Sequence, residues 1–377
     1  MSAVARPDRY PVLDALRALA IVLVLARHWA VASQDGFGAV PGGPLAVLSA
    51  NGWIGVDLFF VLSGFLIGTH FAGPDAGPFG KAAVLEFYRR RAFRTLPLYW
   101  GVILLCWLAG SIFSPLSFIT HLLFLQDYLG SDVMVTLWSL AVEEKFYLLA
   151  PALLWLLMRM GRKAACVLLF VVMAGICWSM LDGARQVAPG DYGAFFWSVR
   201  APFHHAGLAI LAGVLVAVEH GGSGTRGAPR WLLLAVAAPL LLLHAYRDWL
   251  GLGDWPLVCG VIALSSGLFA LLVRLGLAVN RRHPVFGASR PLRHIAKLSY
   301  ALYLVHFPLI GPAMQLSRTL LANMPPQAPA SLLFLLVYGA MSWAAALLLH
   351  LALERPFLRL RDRLRPVPHT GAGASIS

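Results

Sequence analysis

Charged residues are scarce in this sequence. Only 12% of the 377 residues are Asp, Glu, Lys or Arg, whereas about 25% is usual in a soluble domain. Apolar residues make up 59% of the chain, and the mean hydropathy is +0.74. This composition excludes an ordinary soluble enzyme. The apolar residues form runs of roughly 17 to 25, which predicts an all-α, polytopic transmembrane bundle.

Cysteine is also rare, and its placement carries no metal-binding or disulfide pattern. The four cysteines all lie in apolar segments, with neither a CxxC pair nor a His-rich neighbourhood. We therefore interpret them as small packing residues and expect no metal site. The chain has a formal net charge of +13, but it lacks a glycine-rich phosphate loop and any nucleic-acid motif, so no nucleic-acid partner is expected.

Ten segments are apolar enough to cross a bilayer. They are residues 12–32, 53–71, 95–113, 137–158, 164–181, 201–219, 231–246, 255–275, 297–321 and 331–354. Most Lys and Arg residues lie in every second connection, and the opposite connections hold only Arg185, Arg200, Arg247 and Arg318. Because positive loops stay in the cytoplasm, this bias predicts that both termini are cytoplasmic.

We predict one membrane domain over residues 1–365 and a disordered polar tail over residues 366–377. The N-terminus offers an alternative, since two arginines, a short apolar run and the small residues 30–32 resemble a secretory signal peptide. The adjacent Arg27 and His28 argue against cleavage there, because charged pairs are rare at such sites.

The first span contains ionisable residues, which are costly in a bilayer and are functional candidates by default. Arg17 and His28 are eleven residues apart, so on a helix they differ by roughly 20° in direction and ~16 Å along the axis. They therefore share a face. The alternative is that Asp14 and Arg17 pair at i, i+3 while His28 is a hydrogen-bonded packing residue.

The fourth span carries Ser139, Glu143 and Tyr147 at i, i+4 and i+8. These side chains share one helix face, and polar groups inside an apolar bundle need partners. Arg17 or His28 from the first span is a suitable partner. A purely structural hydrogen-bond network is the alternative.

A dense basic cluster precedes the third span and comprises Arg89, Arg90, Arg91 and Arg94. Guanidinium groups bind phosphates through paired hydrogen bonds. Anionic lipid headgroups explain the same cluster equally well, so phosphate binding and lipid contact both stay open.

Six segments in order resemble the motifs of the acyltransferase-3 family of integral membrane acyltransferases. They are DALRALAIVLVLARH (14–28), GVDLFFVLSGFLI (55–67), FYRRRAFRTLPLYW (87–100), TLWSLAVEEKFYLLAP (136–151), LSYALYLVHFP (298–308) and ERPF (354–357). The resemblance implies a ten-helix enzyme of the bacterial inner membrane that transfers an acyl group, usually acetyl, from cytoplasmic acyl-CoA. The acceptor it implies is a hydroxyl of a saccharide, a lipid-linked glycan or a small molecule.

Carried over residue by residue, the resemblance places the family's paired Arg and His on Arg17 and His28. It places the Arg-x-x-Arg pair on Arg91 and Arg94, and the acidic motif on Glu143 and its neighbours. The hypothesis is that Arg91 and Arg94 bind the phosphates of CoA while the thioester reaches His28.

Imidazole suits this step, because its usual pKa near 6.5 makes it a competent base at neutral pH. Direct transfer and a covalent acyl-imidazole are both open. Arg17 is expected to orient the donor, and Glu143 either holds the tautomer of His28 or balances buried positive charge. A transporter or flippase of lipid-linked or hydrophobic solutes is the alternative function, although no repeated halves are evident.

Two further residues have open roles. His306, beside Pro308 in the ninth predicted span, either lines the cavity or bonds a neighbouring helix. Asp57, near the outer end of the second span, either supports His28 or the acceptor, or forms an ion pair.

Overall fold

The computed structural model describes residues 10–38, 46, 49–72, 78–110, 114–131, 134–220, 254–283, 285–324 and 329–364. Within these ranges the chain forms helices and no strand. The predicted all-α membrane bundle is confirmed. The predicted span 231–246 and the predicted tail 366–377 lie outside the described residues, and the count of ten spans and the cytoplasmic termini stay predictions.

In chain order the helices are α1 (Pro11–Phe37), α2 (Ile54–Ala72), α3 (Lys81–Leu108), α4 (Pro115–Leu122), α5 (Gln126–Leu129), α6 (Trp138–Met160), α7 (Arg162–Arg185), α8 (Tyr192–Phe195), α9 (Phe203–His220), α10 (Trp255–Arg282), α11 (Arg290–Val305), α12 (Ile310–Leu321), α13 (Ala330–Leu349) and α14 (Arg355–Arg363). A 3₁₀ turn (Val135–Leu137) precedes α6, and π-helical turns cover Phe196–Arg200 and His350–Glu354.

Six helical stretches in the described part are long and apolar enough to cross a membrane. They are Pro11–Phe37, Ile54–Ala72, Arg162–Arg185, Phe203–His220, Trp255–Arg282 and Ala330–Arg363. Helix α7 shows the lipid-facing character clearly, since Val167, Phe170, Val171 and Trp178 are each more than half exposed. Contiguous apolar surface of this kind is unfavourable in water and is at home against lipid chains.

Helix α2 lies in the centre of the bundle and packs against α1, α6, α9 and α10. Helices α2 and α9 approach closely because each has a glycine that faces the backbone of the other helix. A Cβ added to Gly64 would lie 2.0 Å from the carbonyl oxygen of Ile210, and one added to Gly213 would lie 2.0 Å from that of Val61. Small residues let membrane helices approach in this way.

Two of the predicted spans differ from the helices observed. Helix α3 begins at Lys81, so the basic cluster lies in its third and fourth turns rather than in a loop before the span. The predicted span 297–321 is two helices, α11 and α12, separated by residues 306–309. Pro308 explains the break, because proline lacks the backbone donor and its ring clashes with the preceding helical turn.

The four cysteines are all free, as their sequence contexts predicted. Cys106 and Cys259 are buried, and Cys166 and Cys177 are half-buried.

Candidate active site

One cavity lies between α1, α2, α3, α6 and α11, and we call it the arginine cavity. Its volume is about 80 Å³. The polar residues that line it are Arg17, Ser63, Arg91, Arg94, Thr95, Ser139, Glu143, Tyr147, Ser299, Tyr300 and Tyr303. Four of the five site residues predicted from the sequence therefore share one cavity.

The three residues predicted to share one face of α6, Ser139, Glu143 and Tyr147, all line the arginine cavity. Glu143 accepts a hydrogen bond from the Ser63 hydroxyl at 3.0 Å and another from the Tyr147 hydroxyl at 2.6 Å. The Arg91 guanidinium lies 5.0 Å from the centre of the Tyr147 ring. The carboxylate is thus fixed in place and faces positive charge.

The basic cluster divides into two pairs with different surroundings. Arg89 and Arg90 both form ion pairs with Glu86, at 2.5 Å and 2.6 Å. Arg91 and Arg94 instead line the arginine cavity. Only the second pair is thus placed to bind a ligand inside the bundle, and the first pair suits the membrane surface.

Arg17 brings a third guanidinium to the arginine cavity from α1. Its Nη1 lies 3.9 Å from a carboxylate oxygen of Asp14, one turn earlier. The i, i+3 pairing considered from the sequence is therefore present, and Arg17 still reaches the cavity. Among the described residues that line this cavity there are three arginines and one carboxylate, so the lining carries an excess of positive charge, which favours an anionic ligand.

The second cavity, which we call the histidine cavity, is larger, at about 470 Å³. Its polar lining includes Arg27, His28 and Arg200, and none of the described residues lining it is acidic. Nine of its twenty described lining residues are aromatic: Trp53, Trp138, Tyr192, Phe195, Phe196, Trp197, Trp255, Tyr303 and Phe307.

His28 contacts two residues that follow α11. Its ring centroid lies 5.1 Å from that of His306 and 5.4 Å from that of Phe307. Glu143 lines the other cavity, so its position does not support the interpretation that it holds the tautomer of His28. It agrees with the alternative that Glu143 balances buried positive charge.

Arg200, which lines the histidine cavity, forms an ion pair with Asp57, and the sequence did not indicate this partner. Arg200 donates to Asp57 at 2.8 Å, and Asp57 is fully buried. The guanidinium also lies 5.6 Å from the Trp53 ring and 5.1 Å from the Trp138 ring. The sequence places Arg200 in an outer connection, whereas in the structure it ends the π-helical turn Phe196–Arg200 and its side chain is buried. For Asp57, ion pairing is therefore the observed role.

The two cavities meet at Val56 and Tyr303, which line both of them. The Tyr303 hydroxyl donates to the Thr136 carbonyl at 2.8 Å and lies 2.6 Å from the Ser139 hydroxyl oxygen. The side chain of Tyr303, held by these hydrogen bonds, thus lies between the arginine cavity and His28.

No group of three or more His, Cys, Asp or Glu side chains that could hold a metal ion occurs among the described residues. The adjacent histidines at the start of α9 bond to protein groups instead. His204 bonds to the Tyr128 hydroxyl at 2.9 Å, and His205 bonds to the Ser179 hydroxyl at 3.0 Å.

The chain is similar to several bacterial proteins that are named as O-acetyltransferases. The O-acetyltransferase OatA of Staphylococcus aureus is 27% identical over 346 residues, which cover 81% of this chain and 51% of the relative. The peptidoglycan O-acetyltransferase OatA of Listeria monocytogenes is 26% identical over 327 residues, or 80% of this chain and 49% of the relative.

A third relative, the putative peptidoglycan O-acetyltransferase YrhL of Bacillus subtilis, is 33% identical over 195 residues, which cover 45% of this chain and 28% of the relative. The chain thus spans about half the length of the two OatA relatives. No solved structure matches it. The family model of the acyltransferase-3 domain, described as an acyltransferase domain, matches residues 10–350. This match covers nearly all of the described helices, and the chain therefore belongs to the acyltransferase-3 family of multi-pass membrane acyltransferases.

Proposed function

We propose that this protein is an O-acetyltransferase that carries an acetyl group from acetyl-CoA to a hydroxyl of a saccharide acceptor. The observation that carries the proposal is the junction of the two cavities at Val56 and Tyr303. One cavity has the charge to bind an anionic donor. The other has an imidazole and room for an acceptor.

The donor's phosphates are proposed to bind Arg91 and Arg94. A planar guanidinium donates two parallel hydrogen bonds to a phosphate, and such charge-assisted bonds are strong where water is excluded. Arg17 is proposed to orient the donor from α1, and Glu143 to limit the repulsion among the three guanidinium groups. With the predicted orientation of the spans, this end of α1 faces the cytoplasm.

The arginine cavity, at about 80 Å³, is smaller than usual ligand pockets of roughly 300–1,000 Å³. It therefore accommodates only part of a CoA molecule. For the pantetheine arm to reach His28, the partition formed by Tyr303 has to open. The donor route thus includes a rearrangement at the hydrogen bonds of Tyr303 to Thr136 and Ser139.

His28 is proposed to act as the base. It takes the proton of the acceptor hydroxyl while that oxygen attacks the thioester carbonyl, and the carbon–sulfur bond then breaks. The proton passes from His28 to the departing sulfur, which leaves as the thiol of CoA. An acyl-imidazole on His28 reaches the same products in two steps.

The acceptor is proposed to bind in the histidine cavity. A sugar ring presents faces of C–H groups, which pack on aromatic side chains, and hydroxyls at its edge, which bond to groups such as Arg27 and Arg200. The cavity of about 470 Å³ is within the range of ligand pockets. The relatives from Listeria and Bacillus are named for peptidoglycan, a saccharide polymer, which supports this class of acceptor.

The test uses the full chain, purified in detergent, with acetyl-CoA labelled in its acetyl group. We expect saturable binding of acetyl-CoA, release of CoA thiol, and transfer of label to glycan fragments supplied as acceptors. Protein that neither binds acetyl-CoA nor releases its thiol, with or without acceptor, would overturn the proposal. Movement of a lipid-linked glycan across proteoliposomes without acetyl transfer would favour the transporter alternative.

A further inference from the structure

His306 is a buried histidine with no part in the reaction proposed above. It is fully buried where α11 ends. Its Nδ1 lies 2.7 Å from the Tyr303 carbonyl oxygen and 3.1 Å from the Leu302 carbonyl oxygen. Carbonyl oxygens only accept hydrogen bonds, so Nδ1 must carry the proton. In the neutral ring, Nε2 therefore presents a lone pair.

This lone pair has no partner in the described part of the chain. Nε2 of His306 is buried and makes no hydrogen bond there. An unsatisfied buried polar atom is costly, and native proteins rarely keep one without a purpose. The nearest ring is that of His28, whose centroid lies 5.1 Å away at an interplanar angle of 50°.

The separation of the two rings permits a direct hydrogen bond. A ring nitrogen lies about 1.1 Å from the centre of an imidazole, so nitrogens that face each other across this gap would be ~2.9 Å apart, an ordinary bond length. In this structure the rings are tilted by 50° and no hydrogen bond joins them, and we expect rotation of the His28 ring about its Cβ–Cγ bond to complete it. Hydrogen bonds of catalytic groups often tighten in this way only when substrate binds.

We propose that His306 is a positioning residue that accepts a hydrogen bond from a ring N–H of His28 through its own Nε2. The inference rests on the proposed function, in which His28 is the base. The bond fixes one tautomer of His28, so that its other nitrogen keeps a lone pair towards the cavity. The backbone carbonyls of Leu302 and Tyr303 in turn fix the tautomer of His306.

A positioning partner of this kind is a neutral counterpart of the carboxylates that orient histidines elsewhere. It suits this place because a carboxylate beside His28 would need its own counter-charge inside an apolar bundle. Asp57, the acidic residue that contacts the lining residue Arg200, is already paired with it.

Two amide variants separate this role from a structural one, since each reproduces one half of the imidazole. Glutamine can place an oxygen acceptor where Nε2 lies. Asparagine keeps a donor near the position of Nδ1 and provides no acceptor at that of Nε2. We expect His306→Gln to retain most of the turnover. We expect His306→Asn to lose about 10-fold to 100-fold in kcat, by analogy with residues that orient metal-bound histidines, with an unchanged KM for acetyl-CoA.

Equal kcat values for the two variants would overturn the proposal. If both were high, His28 would need no partner at this place, and if both were low, His306 itself would handle the proton. Thermal stability and acetyl-CoA affinity of the purified variants are measured alongside, so that a folding defect is recognised.

A second readout does not depend on acetyl transfer. Diethyl pyrocarbonate acylates an unprotonated imidazole nitrogen, and the modified peptide is followed by mass spectrometry with His28→Ala as control. Reaction at His28 should be slower in His306→Asn than in the wild type and His306→Gln, and the same rate in all three would overturn the proposal. If the rate of modification at His28 differs among the variants in this way but the wild type transfers no acetyl group, the proposed function is refuted. The positioning contact between His306 and His28 is then still supported.

Discussion

Arg94→Ala tests the division of the basic cluster, because Arg94 lines the arginine cavity while Arg90, on the same helix, pairs with Glu86 at the surface. The two substitutions remove the same charge from neighbouring turns of α3. They differ in whether the lost guanidinium faces the cavity. Arg90→Ala is therefore a matched control for changes in topology and lipid contact.

The expected magnitude follows from the hydrogen bonds that a cavity-facing guanidinium gives to a phosphate. A bond to a charged group contributes about 1.5–3 kcal/mol, which corresponds to about a 10-fold to 150-fold loss of affinity. We expect Arg94→Ala to weaken acetyl-CoA binding by a factor in this range. Arg90→Ala should leave it nearly unchanged, since its partner Glu86 keeps Arg89. Arg94→Lys should recover part of the loss, because an ammonium keeps the charge without the planar fork.

The assay is equilibrium binding of radiolabelled acetyl-CoA to the purified full chain at fixed ionic strength. Equal weakening by Arg94→Ala and Arg90→Ala would show a general electrostatic effect of the surface. If neither substitution weakens binding, contact with anionic lipids is the better interpretation of the whole cluster. Both results would refute the placement of the donor in the arginine cavity.

Three further outcomes follow from the positions of single residues. His28→Ala should lower turnover ~100-fold or more. It should not change the affinity for acetyl-CoA, because His28 lies outside the arginine cavity. Residual turnover above about a tenth of the wild-type value would exclude His28 as the base. Glu143→Gln should lower stability by ~1–3 kcal/mol through weakened hydrogen bonds and leave the pH dependence of turnover unchanged, whereas a shifted profile would link it to His28. Gly213→Ala should lower the melting temperature, because an added Cβ would lie 2.0 Å from a backbone oxygen of α2. Gly207→Ala, in the same helix with nothing within 4 Å, should be neutral or slightly stabilising, and equal melting temperatures would contradict the observed packing.

Features set by local periodicity were predictable from the sequence. Hydropathy located most of the long helices, since an apolar run of sufficient length has few alternatives to a membrane helix. The helical repeat put Ser139, Glu143 and Tyr147 on one face, and all three line the arginine cavity. Both results depend only on neighbours along the chain.

The division of the basic cluster had a local signal that the sequence interpretation did not use. Glu86 stands three residues before Arg89 and four before Arg90, the spacings at which opposite charges pair on a helix. The i, i+3 spacing likewise predicts the pair of Asp14 and Arg17. On α3, pairing of Glu86 with Arg89 and Arg90 leaves Arg91 and Arg94 as the arginines available to a ligand.

Contacts between distant segments had no such signal. Asp57 and Arg200 are 143 positions apart, and their pairing depends on a π-helical turn that hydropathy does not reveal. The sequence leaves open whether Glu143 meets Arg17 or His28 across the bundle, because it does not indicate which of the two cavities each side chain faces. That assignment depends on the packing of five helices around Val56 and Tyr303.

Pro308 connects a sequence feature to the chemistry of the site. A span of 25 residues was predicted across it from hydropathy alone, although proline in a helix interior removes a hydrogen bond and crowds the preceding turn. The observed break ends α11 at Val305, so His306 lies at a helix end, where its ring turns back to the last carbonyl groups. Those groups set the proton on Nδ1 and leave Nε2 free beside His28. The break is therefore the structural reason that a second imidazole stands next to the proposed base.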